Sequence, residues 1–119
     1  MHTILFRGKN LDTGEWVEGH LWSSRTIGVT SPVGNTDEIV VDSETVGQYI
    51  GIRDRNGKRI FEDDVVGTPD GKEVYQVVWQ PVSAAWGIEN ATHHFLCGMR
   101  YLDMFEVVGN IHDNPELMK

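Results

Sequence analysis

His93, His94 and Cys97 come nearest to a metal-binding group in this chain. A zinc site needs three or four ligands whose lone pairs converge on one point. On a strand His93 and His94 point to opposite faces, so at most one can lie beside Cys97. His2, His20 or His112 would have to complete the set from a distance. Strand histidines and a buried cysteine explain the three residues better, and no metal or cofactor is expected. Glu62, Asp63 and Asp64 could hold a divalent cation through oxygen. The run lacks the spaced ligands and the following Glu of a calcium loop. A corner fits it better, with one carboxylate accepting backbone N–H groups in an Asx-type turn. Glu15, Glu18, Asp37 and Glu38 could supply a paired acid and base, but nothing in the sequence fixes their separation. Ser23, Ser24, Ser31, Ser43 and Ser83 have no nucleophile-elbow context, and Cys97 has no catalytic signature. Gly57-Lys58 carries the last letters of a phosphate loop without its leading glycine or its hydroxyl residue. No catalytic set emerges, so a non-enzyme is expected.

The elements that position these residues read as short strands. The chain has 119 residues, 39% hydrophobic and 24% charged, which is a globular composition. Thirteen glycines against four prolines point to many turns and short strands. One domain over residues 1–119 is expected, divisible into sub-lobes 1–50 and 51–119. The net charge of −8 argues against a protein that covers nucleic-acid phosphates, which needs clustered Lys and Arg. Arg53, Arg55, Lys58 and Arg59 form one local basic strip, read as a hairpin whose charges face water. A single cysteine forbids an internal disulfide and suits a reducing compartment. The start of the chain does not read as a signal peptide, and no apolar run reaches membrane-spanning length. A cytoplasmic protein without membrane partners is the expectation.

Ile4–Arg7 and Glu15–Trp22 predict a hairpin across the turn-rich Gly8–Gly14. Trp16 and Trp22 share parity on that second strand unless Gly19 breaks it with a bulge. Ile27–Thr30 and Glu38–Asp42 predict two more strands, with an aperiodic loop from Ser31 to Asp37. Asp42–Thr45 should turn the chain, and Val46–Ile52 resumes in extended form. Asn56-Gly57 predicts a type I′ hairpin turn with both central residues at positive φ. Thr68-Pro69-Asp70-Gly71 is another turn. Glu73–Gln80, Ala84–Glu89, Thr92–Cys97 and Glu106–Ile111 read as strands. A helical turn is allowed only at Met99–Phe105, and Pro115 could open a terminal one. The fold class predicted is β-dominant: two small β-rich lobes, the C-terminal one an SH3-like partly open barrel with one or two short helical turns. Trp16, Trp22, Trp79 and Trp86 are expected mostly in the core or at subunit contacts.

Three segments, in order, carry a family resemblance: Ile4-Leu5-Phe6-Arg7-Gly8, Gln48 through Val66, and Glu106 through Leu117. Together they resemble the YopX family of bacteriophages and prophages. The positions that carry it in the middle and at the end are Tyr49, Gly51, Asp54, Asn56, Gly57, Phe61, Asp64, Val65, Gly109, Asn110, Asn114 and Pro115. Asp63 stands where the family often has Gly, and Asp is among the better substitutes if that corner needs positive φ. The resemblance implies a phage or prophage setting in a bacterial host, a β-rich fold and self-assembly. It brings no catalytic residues.

The leading expectation is therefore an accessory protein that acts through protein–protein contacts as a homo-oligomer, with a host or phage protein as a further partner. One alternative is an acidic modulator of a host nucleic-acid-handling protein. Another is a small nucleic-acid-binding barrel using the basic strip.

Overall fold

The computed structural model describes residues 4–30, 33–92, 95–97 and 99–119. It is built almost wholly of short antiparallel strands, with 3-10 turns as its only helices among the described residues. The chain divides into two units, Met1–Tyr49 and Ile50–Lys119.

The first unit carries β1 (Phe6–Lys9), β2 (Trp16–Ser23), β3 (Thr26–Thr30), β4 (Thr36–Val40) and the start of β5 (Gly47–Arg53), in the sheet order β4-β3-β2-β1-β5. The last of these crosses into the second unit. β4 begins at Thr36, two residues earlier than the predicted Glu38–Asp42, because all five of its residues pair with β3. Beyond β4 the bridge Asn10↔Val41 and the bonds Leu11 N to Val40 O and Asp42 N to Lys9 O bring β1 back against the end of β4. The predicted turn at Asp42 is a 3-10 turn over Ser43–Thr45, with the Asp42 carboxylate accepting from Glu44 N at its start. The unit's core is small: Ile27 and Val41 are buried, and Gly8 leaves room for both.

Close packing explains Gly19 better than a bulge does. A Cβ there would strike the Gly28 carbonyl oxygen on β3. The irregularity falls later, between Leu21 and Ser23, and it is this that sets the Trp22 indole on Gly28.

The second unit runs from the end of β5 through β6 (Arg59–Phe61), which neighbours it, into β7 (Asp64–Gly67), β8 (Val74–Gln80), β9 (Ala85–Glu89), β10 (Phe95–Cys97) and β11 (Glu106–Asn110). The last five form a sheet in the order β10-β9-β8-β7-β11, with a 3-10 helix over Met99–Met104 leading into β11. A meander whose last strand follows a 3-10 turn and returns to the first has the order of an SH3-like barrel. Ile50, Ile60, Val66, Tyr75, Val77, Ile88 and Leu102 form its core. The alternation along β8 puts Tyr75 and Val77 inside; Trp79 has the same parity but lies beyond the core, against Trp86, and is 44% exposed.

No described tryptophan is fully buried. Trp22 is 51% exposed, and Trp16 and Trp86 are half-buried. Trp86 packs against the core edge-on to Trp79, their centroids 5.1 Å apart. Trp16 instead faces charge, with the Arg7 guanidinium 4.4 Å and the Lys9 ammonium 5.5 Å from its ring.

Candidate functional site

Within the second unit the residues that carry the family resemblance converge on the turn after β5, the corner after β6 and the segment after β11. The first of these turns on Asp54, whose side chain is buried although it sits at a hairpin end. Its Oδ1 accepts from Asn56 N and Lys58 N, each at 2.9 Å, and its Oδ2 accepts from Val107 N at 2.9 Å. Burial pushes the carboxyl pKa up. The backbone bonds from Val107, Lys58 and Asn56, with the Lys58 charge, outweigh it and hold the group below its ordinary 3.8.

The same carboxylate decides the turn type. Asn56 keeps a negative φ, and only Gly57 is left-handed, at +81°. Gly57 N donates to Asp54 O and Asp54 N to Lys58 O. This is a type I turn closed by a glycine bulge, not the type I′ turn predicted from Asn-Gly. The Asx geometry at Asp54 favours right-handed φ at the residues it spans, so only the glycine needs positive φ.

The basic strip is tied into the molecule as well. Arg55 N donates to Phe105 O, Arg55 Nη2 reaches Glu106 Oε2 at 3.1 Å, and Asn56 Nδ2 donates to Glu106 Oε1 at 3.2 Å. Arg53 Nη1 donates to Gly57 O. The charges face water as expected, and the turn is also bonded to the start of β11.

The acidic corner is built by backbone conformation. Asp63 has φ +71°, the left-handed value that its place in the family pattern anticipates. Its N–H donates to Val77 O in the middle of β8, and its carbonyl accepts from Ile111 N just after β11. Its carboxylate accepts from Gln76 Nε2 at 3.0 Å and lies 3.4 Å from His112 Nε2. Asp64, 1% exposed, accepts from Phe61 N at 2.8 Å, so a carboxylate of the run does hold a backbone N–H, but it reaches back three residues and not forward as an Asx turn would. Phe61 and Val65 on either side are buried.

After β11, Asn110 organises the chain. Its Oδ1 accepts from His112 N and Asp113 N, and its carbonyl from Asn114 N. Asn114 Oδ1 accepts from Asn110 N at 3.3 Å, and Pro115 opens the 3-10 turn Pro115–Met118. Gly109 sits beneath this knot. A Cβ there would come 2.5 Å from Asn114 Oδ1 and 2.9 Å from Leu117 Cδ1. Gly109→Ala is therefore expected to cost about 1–3 kcal/mol through overpacking. Thermal unfolding followed by circular dichroism should show the drop in Tm, with the N-terminal sheet unaffected.

Tyr49 and Gly51 stand apart from this cluster. Tyr49 N donates to Leu5 O in the first unit, and Gly51 serves conformation, since its φ is +92° and nothing lies within 4 Å of where a Cβ would stand.

Among the described residues no three His, Cys, Asp or Glu side chains converge as metal ligands. His93 and His94 of the candidate zinc cluster lie outside the described residues, as does the side chain of Cys97. A shallow depression of about 230 Å³ opens between Glu73–Tyr75 and Asn90–Thr92. Its polar groups bond one another: Tyr75 Oη donates to Glu73 Oε2 at 2.8 Å, and Thr92 Oγ1 to Asn90 Oδ1. The Glu73 carboxylate as acceptor, then burial and its charge, raises the Tyr75 pKa above the ordinary 10.0. Among the described residues no helix is long and apolar enough to cross a membrane.

What the sequence reading missed is the reach of Asp54. The signal was present, because an Asp two residues before Asn-Gly is an Asx-turn arrangement. Its bond to Val107 N, 53 residues on, had no local signature.

No curated protein matches the chain. Its structure is similar to the crystal structure of protein EF1440 from Enterococcus faecalis, with a TM-score of 0.61 at 21% identity over 100% of both chains. That likeness concerns the fold. The family model described as YopX protein matches residues 5–119, nearly the full length, and spans every segment described above. The chain belongs to the YopX family.

Proposed function

We propose that this is a non-enzymatic accessory protein of a phage or prophage, working in the bacterial cytoplasm through protein–protein contacts and assembling with copies of itself. Family membership supports the phage setting. The non-enzymatic reading draws on where the acidic and amide side chains are spent. Asp54, Asp64, Asn110 and Asn114 hold backbone N–H groups, and Asp63 bonds β8 and the residue after β11, so their chemistry is used in building the scaffold.

The observation that carries self-assembly is the β8–β9 hairpin. Its end presents Trp79, 44% exposed, and Val82, 96% exposed, beside the half-buried Trp86. A tryptophan and an aliphatic side chain held outward on a two-stranded arm suit a contact between copies. Ala84 has φ +49°, an uncommon conformation for a residue with a Cβ, and it fixes the shape of the turn.

Size-exclusion chromatography with light scattering at micromolar concentration tests this reading. The mass should be a multiple of 13.4 kDa and should fall to the single-chain value in the Trp79→Ser, Val82→Ser double variant. A wild-type mass equal to one chain at every concentration would remove the assembly claim.

A further inference from the structure

The outer face of the first unit carries a second surface, separate from the hairpin above. On β3 and β4 the pairs Thr26↔Val40, Gly28↔Glu38 and Thr30↔Thr36 lie on one face, since cross-strand partners share a side and alternate residues return to it. The hydroxyls of Thr30 and Thr36 meet at 3.2 Å on that face, and those of Ser23 and Thr26 at 2.7 Å. Ile27, one residue along, turns to the opposite face and is buried.

Trp22 is the extra residue of the β2 bulge, and its indole lies on Gly28. A Cβ at Gly28 would fall 2.6 Å from the indole Nε1 and Cζ2. Gly28 is thus the seat of the ring. Glu38 leaves the next strand directly opposite Gly28, so its carboxylate rises beside the indole. The Glu38 side chain makes no hydrogen bond or ion pair among the described residues, and Val40, 46% exposed, completes the far side. β4 is the last strand in its sheet order, and from Thr36 to Ile39 no described strand lies on its outer edge.

An indole face next to a carboxylate suits a cationic side chain, which takes attraction from both. The chain contains its own example, since Trp16 on the same strand carries the Arg7 guanidinium over its ring. At Trp22 no cation of the chain fills that role among the described residues. The unit has three basic residues (Arg7, Lys9, Arg25) against seven acidic ones, so its field favours a basic visitor. A second copy of the same edge would set Asp37 and Glu38 against their own equivalents, which like charges oppose.

We propose that the Trp22–Glu38 face is a docking site for an extended basic segment of a partner protein. One Lys or Arg of that segment lies between the indole and the Glu38 carboxylate, and its backbone adds to the open stretch of β4.

The test is a 15N-labelled NMR titration of the full chain at pH 8 with a capped heptapeptide of alternating Val and Lys. A control peptide carries Glu in place of Lys. The Lys peptide should shift the Trp22 indole N–H and the amides of residues 36–39, and the Glu peptide should not. Trp22→Ala should weaken binding about fivefold and Glu38→Gln about threefold, the scale of an exposed cation–π contact and an exposed charge pair. Glu38→Lys, on an exposed edge where folding is indifferent to the change, should reverse the preference to the Glu peptide. Shifts that ignore Trp22→Ala and Glu38→Lys, or no shifts at millimolar peptide, would overturn the proposal. So would concentration-dependent shifts at this face without peptide, which would identify a second copy as its occupant. Chain mass is read separately, so failure here leaves the hairpin assembly untouched.

Discussion

Replacing Asp54 by Ala should cost the second unit about 3–5 kcal/mol, because three part-buried backbone hydrogen bonds to a charged acceptor are lost at once, each contributing ~1–2. The amides of Asn56, Lys58 and Val107 all point at this one carboxylate. Small domains have only ~5–15 kcal/mol in total, so Asp54→Ala should be close to unfolded at 37 °C. Asp54→Asn keeps one acceptor oxygen and should lose less. The carboxyl pKa is lowered in the folded state, so its stabilisation is full above the unfolded value near 3.8 and disappears as pH falls through the lower folded value. Urea unfolding at pH 7 and at pH 2.5 checks this. The gap between wild type and Asp54→Asn should be wide at pH 7 and much narrower at pH 2.5.

The second large effect belongs to the other unit. Gly19→Ala would place a Cβ on the Gly28 carbonyl oxygen and 2.9 Å from Ile27 Cγ2. The first obstacle is backbone, so no rotamer change relieves it, and β2 and β3 must separate. The cost is expected at about 3 kcal/mol, the upper end for overpacking, in a unit with few fully buried side chains. Near-UV circular dichroism adds a local readout, because separation of β2 from β3 unseats Trp22 from Gly28. A Gly19→Ala protein with wild-type stability and an unchanged tryptophan signal would contradict the close approach.

The strands were legible in the sequence because their code is local. Val74-Tyr75-Gln76-Val77-Val78 is rich in β-branched and aromatic residues, and it became β8. The one place left open for a helical turn, Met99–Phe105, holds a 3-10 helix that ends at Met104, with Leu102 buried. Asp63 was legible through its departure from glycine, and its φ is positive. The errors arose where a distant or side-chain bond overrode the local rule. Asn56-Gly57 alone favours type I′, but the Asp54 carboxylate selects type I with a glycine bulge. Arg55 is exposed, as expected of the strip, but its ion pair with Glu106, 51 residues away, had no local signature. Gly19 looked like a bulge, and the Gly28 carbonyl that explains it lies on another strand. The Trp22 seat needed both the register of β2 to β4 and the place of the bulge, and no short window contains either.

These results share one physical basis: side chains of the family motif hold backbone amides. Native-state amide hydrogen exchange tests this most directly. Asn56 and Lys58 sit at an exposed hairpin end, where amides ordinarily exchange through low-energy local openings. The account predicts that both are protected nearly as well as the core strand β8, together with Val107, and that all three lose protection together in Asp54→Asn. Fast exchange of Asn56 and Lys58 in the wild-type protein would show that the Asp54 carboxylate does not hold them, and would contradict the account.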